Sequence, residues 1–107
     1  MQETVLASLV HVQVLEGAAL SAEEFAHACG VALDWVQARV EAGVLQVDMA
    51  SGAWRFDSVT LVRARRIVQL ETSFDADPQL AALTTDLIEE VARLRRRLLA
   101  LGIDENQ

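Results

Sequence analysis

Two glycines constrain this chain most. Gly30 and Gly43 bracket the stretch "VALDWVQARVEA", and "SAEEFAHAC" runs directly into Gly30. Each stretch carries apolar residues at helical spacing: Phe25, Ala28 and Cys29 in the first, Leu33, Val36 and Val40 in the second. Residues at i, i+3 and i+7 share one side of a helix, so both stretches predict short helices with a single inward stripe. Ser21 with Glu24 three positions later is a capping box that starts the first. Glycine adopts positive φ without steric cost, so Gly30 and Gly43 stop the helices at defined points.

The flanking segments supply the rest of a fold. "SLVHVQVL" alternates Val10, Val12 and Val14 with His11 and Gln13, the period of two expected of a strand. "VLQVDMASGAWRFD" predicts a hairpin, with Val44 to Val47 and Ala53 to Phe56 as strands and "MASG" as the turn. The Val10/Val12/Val14 strand is expected as a third member of that sheet. Asp57 caps a helix over about 58–74, whose Val59, Leu61, Val62, Ile67, Val68 and Leu70 span more than one face and predict cover on several sides. Asp77 and Pro78 start a last helix over about 78–101. In it Leu80, Leu87, Val91, Leu94, Leu98 and Leu101 recur at steps of three and four, with Thr84 in the one gap and Leu83 widening the stripe. That spacing is a coiled-coil seam of about three heptads; it predicts a homodimer, with a helix folded back onto its own domain as the alternative. The fold expected is mainly α: a winged helix-turn-helix with a small antiparallel sheet over 1–74, then a C-terminal dimerisation helix and tail over 75–107.

Charge decides what such a fold can bind. The net charge is −7, and all nine cations are Arg. Through Asp57, only Arg39 and Arg55 oppose Glu3, Glu16, Glu23, Glu24, Asp34, Glu41, Asp48 and Asp57. Duplex binding rests on neutralising phosphates, so weak or no nucleic-acid binding is expected of this half. A basic protein surface suits it better. One cysteine, Cys29, allows no internal disulfide and fits a reducing compartment. No apolar run approaches the roughly 18 residues of a membrane span, and no basic leader opens the chain, so a cytoplasmic protein is expected.

The order helix, turn, helix, wing, long helix, terminal coiled coil resembles the MerR-type regulators. Within that group, "CGVALDWVQARVEAGVLQV", "WRFD", "RARRIVQLE" and "LTTDLIEEVARLRRRLLAL" most resemble the CbpM chaperone modulators, over roughly residues 20 to 101. The resemblance implies a regulator that binds the J-domain of a DnaJ-like co-chaperone of the CbpA type and inhibits its co-chaperone and DNA-binding activity. The J-domain helix it would meet is basic, which an acidic face complements. The rival expectation is a MerR-like DNA-binding transcriptional regulator. The basic residues which that role needs on the recognition helix and wing are reduced to Arg39 and Arg55.

The candidate partner surface is Glu23, Glu24, Asp34, Trp35, Arg39 and Glu41. Trp35 and Arg39 stand at i, i+4, where they can stack, and both residue types are enriched at interface hot spots. Equally, a large aromatic here can pack on the first helix or a neighbouring loop. Trp54 and Phe56 are expected to close the sheet over the core, with Arg55 pointing away. His27 and Cys29 lie two apart on a helix and face different directions, and a soft-metal site needs three or four ligands, so no metal and no cofactor are expected. Cys29 reads as a small core residue. Arg93 to Arg97 would be a solvated helix end paired with Asp86, Glu89 and Glu90 one turn earlier. No catalytic constellation or phosphate loop is present, so the chain is not expected to be an enzyme.

Overall fold

A computed structural model of the chain describes residues 19–50 and 52–102. The expected strand over Val10, Val12 and Val14 lies outside them. The elements run α1 (Ala22–Cys29), α2 (Leu33–Glu41), β1 (Asp48–Ala50), β2 (Ala53–Arg55), α3 (Ser58–Ser73) and α4 (Pro78–Ala100). This is the mainly helical winged helix-turn-helix expected, with a two-stranded antiparallel sheet and a long C-terminal helix.

The helix ends obey local chemistry. Both halves of the α1 capping box form: the Glu24 N–H donates to Ser21 Oγ at 3.1 Å, and the Ser21 N–H donates to Glu24 Oε1 at 2.8 Å. Gly30 closes α1 at φ 70°. Asp57 accepts from the Thr60 N–H at 2.9 Å and Asp77 from the Leu80 N–H at 2.8 Å, so each satisfies a donor that its helix leaves open.

The core is built around two rings. Phe25 of α1 and Phe56, just past β2, are fully buried and stack with centroids 4.2 Å apart. Trp54 meets Phe56 edge-on at 6.3 Å, so the wing aromatics do close over the core. Val36, Leu45, Leu61, Ala64, Ile67 and Cys29 complete the buried cluster. Leu20 bridges Phe56 through a reciprocal pair of backbone hydrogen bonds, both 2.9 Å, which ties the approach to α1 onto the wing.

Four expectations need correction. Val44 to Val47 do not form a strand; β1 begins at Asp48 and pairs with Arg55, Met49 pairs with Trp54, and the hairpin loop is tighter than "MASG". The Val44 and Leu45 N–H groups donate to the Arg39 carbonyl at 2.9 and 3.3 Å, closing the end of α2. The Val44 carbonyl accepts from Arg63 Nε at 2.8 Å. Backbone groups used this way cannot join a ladder, whatever the β propensity of valine. Leu33, the first residue of α2, is 42% exposed; Val36 alone of the three expected inward residues is fully buried. Val59 and Val62 are 73% and 54% exposed, so α3 is not covered on all sides; its buried residues are Thr60, Leu61, Ala64 and Ile67. Lastly, Asp86 and Glu89 do not pair along their own helix. They reach Arg63 of α3 at 2.8 and 2.7 Å, because α3 packs alongside α4. Glu90 does pair with Arg93, as expected.

Candidate functional site

The second helix of a helix-turn-helix is the one that ordinarily enters a DNA groove, and here it is α2. Its only cation, Arg39, is turned inward. Arg39 Nη2 donates to Glu71 Oε2 of α3 at 2.6 Å, and its guanidinium lies 4.4 Å from the centre of the Trp35 ring. Trp35 Nε1 donates to the other oxygen of the same carboxylate at 3.1 Å. One carboxylate thus fixes both side chains and clamps α2 to α3. The Arg39 and Glu71 side chains are only 13% and 17% exposed, so solvent screens the pair poorly. Arg39 Nε is buried with no hydrogen-bond partner among the described residues.

The stacking of Trp35 on Arg39 agrees with their i, i+4 spacing. Their shared partner was not foreseen: Glu71 lies 32 residues from Arg39, and no local pattern points to it. Trp35 is half-buried and packs against the core cluster, with its Nε1 turned to Glu71 of α3.

What α1 and α2 present outward is acid. Glu23, Glu24, Asp34 and Glu41 are all exposed. Gln37, also exposed, donates to Glu41 at 3.2 Å along the same helix. The capping-box hydrogen bonds from Ser21, backbone first and hydroxyl second, hold the Glu24 carboxyl below its usual pKa of 4.5, with a smaller contribution from Arg55. Glu24 therefore stays charged across the neutral range.

Cys29 is buried, and burial pushes its thiol up to about 11. A thiol so protonated is a poor nucleophile and a poor metal ligand. His27, two residues earlier, faces solvent. Among the described residues no three His, Cys, Asp or Glu side chains gather as metal ligands, and no helix is long and apolar enough to cross a membrane.

The C-terminal helix carries the other candidate surface. Leu80, Leu87, Val91, Leu94 and Leu101 are 52%, 59%, 47%, 44% and 68% exposed, and Leu98 is half-buried. The side of α4 that is buried against the rest of the chain consists of Ala81 and Thr85.

The family model described as MerR HTH family regulatory protein matches residues 20–102. The chain belongs to that family. The match spans both helix-turn-helix segments, the wing, α3 and α4, so the MerR-type plan holds over all the described elements. No curated protein and no solved structure matches the chain. In this MerR-type chain the helix at the recognition position keeps its place in the fold while its one cation serves the interior.

Proposed function

We propose that the chain is a chaperone modulator of the CbpM kind. It binds the J-domain of a DnaJ-like co-chaperone of the CbpA type and inhibits its co-chaperone and DNA-binding activity. The observation that carries this reading is the capture of Arg39 by Glu71. It leaves Glu23, Glu24, Asp34 and Glu41 as the charges exposed on α1 and α2, a field that repels phosphate and attracts a basic helix. Trp35, half-buried on α2 and held in place by Arg39 and Glu71, is the candidate apolar anchor beside those charges; a side chain already fixed loses little entropy on binding. The family is one of regulators, which supports the alternative of a DNA-binding transcriptional regulator. The charge on α2 argues against it.

The proposal includes a homodimer joined through the leucine stripe of α4. Its charges are segregated, with Asp86, Glu89 and Glu90 preceding Arg93, Arg95, Arg96 and Arg97. An antiparallel pair sets acid against base, whereas a parallel pair would set four arginines beside four.

The test is to titrate the intact chain with a purified J-domain and with duplex DNA, each at two salt concentrations. The reading expects J-domain binding whose association slows with salt while dissociation changes little, and negligible DNA binding at physiological ionic strength. Trp35→Ala is expected to weaken J-domain binding by about 2 kcal/mol, as for a hot-spot anchor. Sequence-selective, sub-micromolar duplex binding would replace this reading with the transcriptional one.

A further inference from the structure

A cleft of about 1060 Å³ lies between the N-terminal half of α3, the middle of α4 and the turn after α2. Its charge runs opposite to that of the rest of the chain. Four arginines line it, Arg63, Arg66, Arg93 and Arg96, against three carboxylates, Asp86, Glu89 and Glu90. All three carboxylates are already paired, two with Arg63 and one with Arg93. Burial works against the Arg63 charge, but its hydrogen bonds to Glu89 and Asp86 outweigh that and hold it firmly protonated. Arg66 and Arg96 have neither an ion pair nor a hydrogen bond among the described residues, so two positive charges in the cleft are unspent.

Between the arginines the floor is apolar. Val59 and Val62 stand one turn apart on α3, both more than half exposed, with Ala92 of α4 also lining the cleft. Val62 and Arg66 are at i, i+4, so an apolar contact and a free cation share one face of α3. Exposed valines flanked by unpaired arginines are poor features for a surface meant only for water. The volume suits a peptide segment: two turns of helix, about 11 Å long and 10–12 Å across, occupy on the order of 1000 Å³.

We propose that this cleft docks a short acidic amphipathic helix of a partner protein, its apolar residues resting on Val59, Val62 and Ala92 and its carboxylates on Arg66 and Arg96. Helix-in-groove recognition uses anchors at i, i+3 and i+7, and the arginine fork matches a carboxylate in two-pronged geometry. The surface is separate from α1 and α2, so it does not depend on what the acidic face binds.

The probe is a labelled synthetic helical peptide with Leu at i, i+3 and i+7 and Glu at the intervening positions, titrated into the intact chain by fluorescence anisotropy. A second peptide carries Lys in place of each Glu. The acidic peptide is expected to bind and the Lys peptide not to. The double variant Arg66→Glu/Arg96→Glu, and separately Val62→Asp, should weaken the acidic peptide at least about tenfold. Thermal melts of both variants establish that they are folded. The proposal is overturned if the acidic peptide shows no binding tighter than about 1 mM, if the two peptides bind alike, or if both variants bind like the parent. It is also overturned if the variants lose self-association and the peptide does not compete with it, since a second copy then fills the cleft. Duplex DNA that displaces the peptide and depends on Arg66 and Arg96 would overturn it in favour of nucleic acid.

Discussion

The two ends of the molecule spend their large apolar side chains in opposite ways. Around Phe25 and Phe56 the inside is large: both rings are fully buried, with Val36, Leu45 and Ile67 beside them. Along α4 the inside is small, Ala81 and Thr85, while Leu80, Leu83, Leu87, Val91 and Leu94 remain 44–59% exposed. Helices of eight and nine residues such as α1 and α2 are too short to persist alone in water, so their existence depends on that shared core. The 23-residue α4 can keep its backbone hydrogen bonds without one. The winged half is therefore stable through its own packing. Among the described residues nothing covers the leucine face of α4; in the proposed homodimer a second copy would complete it and raise apparent stability by mass action.

The largest effect should come from the half that is self-contained. Phe25→Ala or Phe56→Ala removes a fully buried ring and leaves a cavity, at a cost of about 3–5 kcal/mol. That is most of the stability of a small domain, so urea denaturation should show a largely unfolded protein at 25 °C. A cooperative native transition surviving either change would show that the wing core is not what holds the short helices.

Next is the clamp between α2 and α3. Glu71→Ala strands a mostly buried guanidinium and takes the acceptor from Trp35 Nε1. Removing one partner of a buried pair costs about 3–5 kcal/mol; some residual exposure here lowers the expectation to about 2–3 kcal/mol. The melting temperature should fall by roughly 10 °C or more. Glu71→Gln keeps an acceptor and should lose less. If both variants melt like the parent, the clamp contributes nothing to docking α2 on α3.

Leu94→Asp examines the other side of the comparison. A leucine that becomes fully buried in a dimer is worth roughly 1.5–3 kcal/mol, and a carboxylate in its place adds a desolvation cost. Sedimentation should then show monomers, with the urea transition of the monomer changed little, since Leu94 is 44% exposed within its own chain. A Leu94→Asp protein that is less stable as a monomer would mean that α4 relies on contacts within the chain after all.

How much of this was legible beforehand follows the range of each interaction. The caps at Ser21, Asp57 and Asp77 and the stop at Gly30 involve groups within four residues, and all are where the sequence places them. The apolar run at Val44 to Val47 predicts a strand that does not form, because strand propensity expresses side-chain packing, whereas backbone groups of Val44 and Leu45 bond to Arg39 and Arg63. Asp86 and Glu89 misled likewise: spacing along one helix favoured the nearby arginines, but the antiparallel neighbour brought Arg63 within 2.8 Å. Of the acidic face, composition was a sufficient guide. The inward turn of Arg39 was not visible, since its partner is 32 positions away.

The smallest effect lies at the capping box, where fold and acidic face share a residue. Ser21→Ala removes the acceptor for the Glu24 N–H and should cost about 1 kcal/mol. Glu24 adds a pH dependence whose sign is fixed by its lowered pKa. A carboxyl held below its unfolded value binds fewer protons when folded, so its contribution is complete above 4.5 and is lost as the pH falls through the lower folded value. The contribution is modest because the side chain is exposed and screened by water. Glu24→Gln still accepts from the Ser21 N–H, so at neutral pH the melting temperature should fall only slightly. Between pH 5 and 3 the parent should lose stability faster than Glu24→Gln. The same variant removes one of four exposed charges from α1 and α2, so J-domain association should slow at low salt and converge with the parent at high salt. If Glu24→Gln flattens the acid limb of the stability curve but leaves association unchanged, Glu24 serves the helix end alone, and the acidic field rests on Glu23, Asp34 and Glu41.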